Sequence, residues 1–431
     1  MQDIKVTLGY KYRIYPTKEQ KEILNHQMFI YNQTYNICLN LQQIQWNKNK
    51  DLDKKNREYF KASELDLKVK DALNQRELPF KTVVTQQARI NCDKALKSAL
   101  TVKDRGFPKF KNSKLSKQSF NWNNQGYTIK DCENNKYKIL RIMSQNIKLR
   151  YHREFPKNYK MNAITISRVH NKYYVSFSIT YTKKVFEITK DNIDISKAVG
   201  VDLNINEIAL SDNTLIKTES KKISKKKYSI RFNRLQRKQS RRVLKAKKSK
   251  QKLGANFKKT QYKLNKIFEI ANNIKKDKYN KITRELTDKF DMIAVEDLNN
   301  KNMTKRAKNK NVKPVPKHSL REKSGLNKSI LNTSFYQIIQ MISYKTKLNG
   351  KLFVKVPPQY TSKSCRVCGK INKNLKLSDR VFKCECGHIE HRDINASKNI
   401  LRIGLESFEL GISSVDLKHK AFRSESLESV S

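Results

Sequence analysis

The chain has 431 residues, with 93 Lys and Arg against 39 Asp and Glu and a net charge of +54. That length accommodates two to four modules with a real core, whereas so large an uncompensated charge disfavours a compact fold unless a polyanion neutralises it. No run of about eighteen apolar residues occurs and Met1-Gln2-Asp3 does not open a signal peptide, so a cytoplasmic protein with no membrane partner is expected and nucleic acid is the default ligand.

Val6, Leu8, Tyr10, Tyr12 and Ile14 alternate with polar residues, which predicts a strand ended by Pro16. From Thr17 to about Leu100 the pattern turns helical, and Gly106-Phe-Pro-Lys-Phe-Lys111 breaks it. Strand patterns return at Ile164 and Ile166, then at Tyr173, Val175, Phe177, Ile179 and Tyr181 across a His170-Asn171-Lys172 turn. The expectation is a small β-barrel with a helical insertion after its first strand. Tyr10 and Tyr12 fit a barrel core better than base stacking; Phe107 and Phe110 are weighed the same way. Gln86 lies in the helical insertion, and a glutamine can read adenine in the major groove.

Ala198 to Ile216 reads as a hairpin, Val199-Gly-Val-Asp-Leu and then Ile208-Ala-Leu, with a turn at Asp212-Asn213. Residues 220–268 hold twenty Lys and Arg and no Asp or Glu, while Leu264, Ile267, Phe268, Ala271 and Ile274 fall at helical spacing. A long helical hairpin touching phosphates is expected there, with Arg241, Arg242, Lys245, Lys247, Lys248 and Lys250 as contacts. Met292-Ile-Ala-Val-Glu296-Asp297-Leu298 reads as a short buried strand ending in acid. Residues 301–328 read as a mobile basic loop, Leu331 to Leu348 as a helix and Leu352 to Val356 as a strand. The stretch 405–431 reads as a poorly ordered tail.

Seven cysteines are present, and four of them are paired, as Cys365-Arg-Val-Cys368-Gly369 and Cys384-Glu-Cys386-Gly387. Paired cysteines followed by glycine suit a structural Zn²⁺ knuckle, because glycine frees backbone N–H groups to approach the thiolates. The scattered Cys38, Cys92 and Cys132 do not make a disulfide framework. Five residues beyond Gly387 begins Arg392-Asp393-Ile-Asn395-Ala396. Asp202 on a hairpin strand, Glu296 at a later strand end and Asp393 at a final helix start are placed as an RNase H-like fold requires. Such carboxylates would hold catalytic Mg²⁺ under a scissile phosphate. Asp297 points to the other face if its strand continues.

At this point the chain resembles the TnpB family, the OrfB-type proteins of insertion-sequence transposons, over nearly its whole length. The resemblance is carried by Tyr10-Lys-Tyr-Arg-Ile-Tyr-Pro-Thr-Lys-Glu-Gln20, Tyr31-Asn32, Gly106 to Lys111, Gly200-Val-Asp202-Leu and Val295-Glu296-Asp297-Leu298. It continues through Tyr344-Lys345, Pro358-Gln-Tyr360-Thr-Ser362, the cysteines and Arg392 to Ala396. It implies a multi-domain α+β protein whose Asp202, Glu296 and Asp393 fill the family's RuvC-type catalytic positions, with Gln86 on a motif-reading helix. The implied organisation is a wedge β-barrel (1–16 and 106–195) holding a helical recognition domain (17–105). A RuvC-like nuclease (196–360), a zinc ribbon (361–390), a final RuvC helix (391–404) and the tail 405–431 follow. The implied activity is RNA-guided cleavage of double-stranded DNA beside a short transposon-associated motif, by a monomer bound to a guide RNA from the transposon end. A miniature type V CRISPR effector and a guide-directed repressor without cleavage are the alternatives.

Four positions depart from the family pattern. Asn204 replaces a common glycine, His391 replaces an acid, Asn332 stands where Asp is frequent, and the second knuckle is Cys-x-Cys, which strains the usual chelate and raises His388 as a substitute ligand.

Overall fold

The computed structural model describes residues 1–102, 105–112, 118–189, 192–218, 229–305, 317–376 and 379–409. The chain forms two compact units, Asp3–Lys183 and a second from Lys184 onward that also takes Met1–Gln2. The division thus falls at Lys183 rather than at the expected residue 195.

In the first unit, strand β1 (Gln2–Tyr15) buries Val6, Tyr10, Tyr12 and Ile14 on one face, as its alternation predicts. Helix α1 (Lys18–Asn49) starts on a capping box in which the Thr17 hydroxyl accepts from the Gln20 N–H and the Gln20 amide oxygen accepts from the Thr17 N–H. Helices α2 (Ala62–Asn74) and α3 (Thr82–Thr101) complete the insertion. Strands β2 (Gln118–Trp122), β3 (Tyr127–Asp131), β4 (Tyr137–Ile142), β5 (Gln145–Arg150), β6 (Tyr159–Val169) and β7 (Lys172–Val185) join β1 in the order β2-β6-β7-β1-β5-β4-β3. β2 and β3 remain as edges, so the described strands form a half-barrel. Its interior is aromatic: Tyr12 stacks on Tyr151 and meets Phe155 and Phe177 edge-on. Tyr10 and Tyr12 are therefore core, whereas Phe107 and Phe110 are exposed.

The second unit is built on strands β8 (Ala198–Leu203), β9 (Glu207–Leu210), β10 (Leu215–Lys217), β11 (Met292–Glu296) and β12 (Leu352–Val356), in the order β10-β9-β8-β11-β12. β8, β9 and β10 pair antiparallel, while β8, β11 and β12 run parallel. Parallel neighbours need long crossovers. Helices α4 (Ser229–Lys248) and α5 (Ala255–Lys289) lie in the first, and α6 (Asn300–Met303), α7 (Lys317–Thr333) and α8 (Phe335–Leu348) in the second. The chain ends in a two-stranded ribbon, β13 (Val381–Lys383) and β14 (Ile389–His391), followed by α9 (Arg392–Glu409).

Strand periodicity sorts the central sheet into two faces. Val199, Val201, Leu203, Ile293 and Val295 pack on Tyr279, Ile282 and Leu286 of α5 and Ile338 and Ile342 of α8. Ala294 and Val356 face the opposite way, toward Ile400 of α9. A Cβ on Gly200 would lie 2.0 Å from the Ser397 carbonyl oxygen, so only glycine admits α9 this close to β8.

Three expectations need revision. The helix expected from Leu331 to Leu348 breaks at Ser334, where φ is 55° and the Lys275 ammonium donates to the Asn332 carbonyl and the Ser334 hydroxyl. The loop expected over 301–328 contains the end of α6 and the start of α7; residues 306–316 lie outside the described residues. The final helix runs five residues past 404, to Glu409, and the rest of the expected tail, 410–431, also lies outside them. No helix among the described residues is long and apolar enough to cross a membrane.

Candidate active site

β8 is buried along all of its residues, and Asp202 is the one acid in that apolar run. The β8–β11 register pairs Val201 with Val295, so the next position on each strand carries Asp202 and Glu296 side by side. α9, drawn onto β8 at Gly200, brings Asp393 to the same strand ends from its first turn. The three predicted carboxylates therefore come near enough for Glu296 and Asp393 to act on Asp202, although more than ninety residues separate each from the next in sequence.

Electrostatics follow from that crowding. Burial above all, and then the charges of Glu296 and Asp393, push the Asp202 carboxyl well above the ordinary carboxylate range; Asn204 and Arg392 oppose the shift. Burial also raises Glu296, against the hydroxyl of Thr361, which donates to its Oε1 at 2.5 Å. Asn204, one of the departures from the family pattern, donates to Asp202 Oδ2 at 2.7 Å. Asp393 is 3% exposed; its Oδ2 has no hydrogen-bond partner and faces the Arg380 guanidinium at 3.7 Å. Asp297 pairs instead with Lys355 at 3.3 Å, as a residue on the other face should.

Sequence reasoning missed the scaffold that holds these groups. Asn399 of α9 donates to the carbonyls of Thr361 and Ser364 at 2.9 and 2.8 Å, and Asn395 accepts from the Arg366 N–H and donates to Ser364. α9 thereby fixes the loop whose Thr361 holds Glu296. The Pro358 to Ser362 motif and the two asparagines were visible in the sequence, but their pairing needs the fold.

In the ribbon, the sulfurs of Cys365, Cys368, Cys384 and Cys386 lie within 4.8 Å of one another, with Cys365–Cys386 at 3.7 Å and Cys368–Cys384 at 3.5 Å. Four thiolates about 2.3 Å from a central Zn²⁺ would sit at such separations, so the donor set fits zinc despite the Cys-x-Cys spacing. Gly369 and Gly387 take φ of 75° and 86° and return their N–H groups to the Cys365 and Cys384 carbonyls. Burial would raise the Cys365 thiol, but backbone N–H groups of Cys368 and Val367 and its neighbouring thiols bring it down to about 7. His388 is outside the sulfur cluster and lies 3.4 Å from Glu390.

The basic hairpin is partly as expected. Phe232, Leu235, Gln239, Arg242 and Ala246 form the more buried face of α4, and Phe232 meets Phe268 of α5. Arg241, Lys245, Lys247, Lys248 and Lys250 are exposed. Arg242 is turned inside the hairpin onto the Asn256 carbonyl and the Thr260 hydroxyl, and is less available to a ligand than expected. Gln86 is exposed on α3.

Three family models match this chain. The OrfB_IS605 model, described as "Probable transposase", covers residues 185–307; a helix-turn-helix domain model of the same group covers 1–51; a Cas12f1-like TNB domain model covers 335–400. A protein from Escherichia coli (strain K12), "Putative RNA-guided DNA endonuclease InsQ", is 31% identical over 243 residues, 56% of each chain. A relative from Streptomyces pristinaespiralis, described in the same words without the final name, is 24% identical over 95% of this chain and 92% of its own. These matches liken the chain to the TnpB family. A solved Cas12f1 structure, from a complex with sgRNA and target DNA, shares the fold with this chain at a TM-score of 0.50 and 15% identity, over 92% of this chain and 98% of that one. The aligned stretch spans about half of InsQ's length. The TNB match encloses all four cysteines and Asp393, and the transposase match encloses Asp202 and Glu296.

Proposed function

We propose that this chain is a transposon-encoded, RNA-guided endonuclease that hydrolyses double-stranded DNA at an RNase H-like (RuvC) site made of Asp202, Glu296 and Asp393. The observation that carries this reading is the meeting of three remote carboxylates in one buried place, with Asp202 pushed far above its ordinary range. Clustered, buried carboxylates are costly, and a site that keeps them suits a cation and a phosphate.

The residues fit hard divalent ions such as Mg²⁺, since all three offer carboxylate oxygens. Bound there, such ions would supply Lewis acidity and lower the pKa of a coordinated water. Asp202 and Asp393 would hold them from two directions. Thr361 fixes the Glu296 rotamer, and Asn204 orients Asp202. Ile205, Leu298 and the apolar residues packed below the strand ends limit water on the inner side. Zn²⁺ in the four-cysteine cluster would be structural, because thiolates fill every position. It would brace β14 and hence the start of α9.

A guide RNA from the transposon end and a DNA target are the partners that the family and the charge support. Pairing would read the target, the protein a short adjacent motif. Exposed Lys245, Lys247, Lys248, Lys250 and Arg241 would touch phosphates, and Gln86 is the candidate motif reader. The Cas12f1 likeness in fold favours a miniature type V effector as the second reading; a repeat array beside the gene, in place of transposon ends, would mark it.

The test is cleavage of a guide-matched duplex by Asp202→Ala and Asp393→Ala proteins. Loss of cation-borne charge stabilisation, several kcal/mol, should slow cutting by about 10²–10⁴-fold while guide and target binding stay near wild type. Wild-type cutting by either variant would remove these residues from the active site.

A further inference from the structure

We propose that Glu207, His391 and Asp393 form a second divalent-cation position beside the three-carboxylate cluster, one that carries an imidazole nitrogen and so favours Mn²⁺ over Mg²⁺. It deepens the nuclease reading, on which its catalytic meaning rests, but the position itself stands on geometry.

Each of the three residues offers one ligand atom, and those atoms lie within 4.8 Å of one another. They come from three elements: Glu207 opens β9, His391 closes β14 and Asp393 stands in the first turn of α9. This is no exposed patch of acids. Asp393 is 97% buried, from its 3% exposure, and its Oδ2 has no hydrogen-bond partner. The Nδ1 of His391 is likewise buried without one. A buried polar atom left unpaired is costly, so two in one cluster call for an explanation. A cation satisfies both at once.

The cation chemistry of this place is already visible in Arg380, whose guanidinium sits 3.7 Å from Asp393 Oδ2 while its side chain is 60% exposed. An arginine so open to solvent can withdraw when a metal ion takes its place. Asp393 belongs to both groups, so the two positions would share one carboxylate. The ligand set of the new position is unlike its neighbour's. Mg²⁺ prefers oxygen and keeps its waters, whereas imidazole nitrogen raises affinity for later divalent metals, beginning with Mn²⁺. His391 occupies a position where the family pattern has an acid. The exchange removes one negative charge from a crowded site and supplies a nitrogen donor.

The experiment uses the full chain, with no histidine tag, stripped of RNA and divalent ions and titrated with Mn²⁺. Free Mn²⁺ is counted by electron paramagnetic resonance, and ¹⁴N coupling to the bound ion is read by spin-echo modulation. Wild type should show imidazole ¹⁴N coupling. His391→Ala should lose it and bind Mn²⁺ at least about tenfold more weakly at that position, no less than the loss of an outer-shell partner costs. His391→Asp, which guards against misfolding, should lose the coupling yet keep the Mn²⁺ stoichiometry, with its preference over Mg²⁺ narrowed. Asp202→Asn should retain the coupling. Absence of ¹⁴N coupling in wild type, absence of Mn²⁺ binding, or coupling that survives in His391→Ala would overturn the proposal. Absent coupling in a protein that still cuts guide-matched DNA sinks the second position alone; coupling in a protein that cuts nothing sinks the nuclease reading alone.

Discussion

Asp202 concentrates the physical cost of the site. Because burial and the neighbouring charges of Glu296 and Asp393 raise its carboxyl, and burial raises Glu296, the folded protein holds these protons more tightly than the unfolded chain does. The stability they contribute is complete below the ordinary carboxylate range and is lost as pH rises through the raised values. In chelator, wild type should therefore lose thermal stability relative to Asp202→Asn from about pH 4 upward, a gap worth about 1.4 kcal/mol for each pH unit by which the pKa is raised. Divalent ions should close it. Melting curves of both proteins across pH test this; parallel curves would mean that the carboxylates carry no strain. The three acids stood out in the sequence as Asp202 on a hairpin strand, Glu296 at the end of a strand pattern and Asp393 at the start of a helix pattern. What Thr361, Asn395 and Asn399 do was not legible there, since each bonds to a partner that only the fold brings near. Arg242 shows the opposite failure, a cation in a basic run that turned inward to its own hairpin.

At the scale of elements, the packing of α9 on β8 decides whether Asp393 meets Asp202. A methyl at position 200 would collide with the Ser397 carbonyl and the Leu401 N–H, 2.0 and 2.6 Å away, so α9 must move. Gly200→Ala should cost about 1–3 kcal/mol as an overpacked contact and lower cleavage more than guide binding, a split that melting, cleavage and binding assays on one preparation resolve. Equal cleavage at equal stability would show that α9 tolerates displacement. Period-two alternation made β1, β6 and β7 readable, and short apolar runs made β8 and β11 so. The open edges of the half-barrel were not readable, because which strands pair is set by contacts far apart in sequence. The break at Ser334 escaped for a similar reason: its left-handed backbone is held by Lys275, a residue of another helix. At the end of α4 and just beyond it, replacing Lys245, Lys247, Lys248 and Lys250 together by Gln should weaken binding of every guide alike. The salt dependence should flatten by up to about 0.7–0.9 log units for each phosphate that a lysine no longer neutralises. Weakening that varies with guide sequence would make α4 a base reader.

The whole molecule carries 54 more positive than negative charges, and both units contribute to them. Self-repulsion of that size is relieved by a polyanion, which is why guide RNA is treated as a resident component rather than a passing ligand. On the proposed function, this RNA chooses where the buried carboxylates cut. The most direct measurement is to sequence the RNA that co-purifies with the chain, replace its guide segment, and map cuts in a duplex library with Mg²⁺ present. The account predicts that the cut moves to the new matching sequence, beside one short motif, and disappears in Asp202→Ala. Cutting that stays where it was, or that proceeds without RNA, would contradict it.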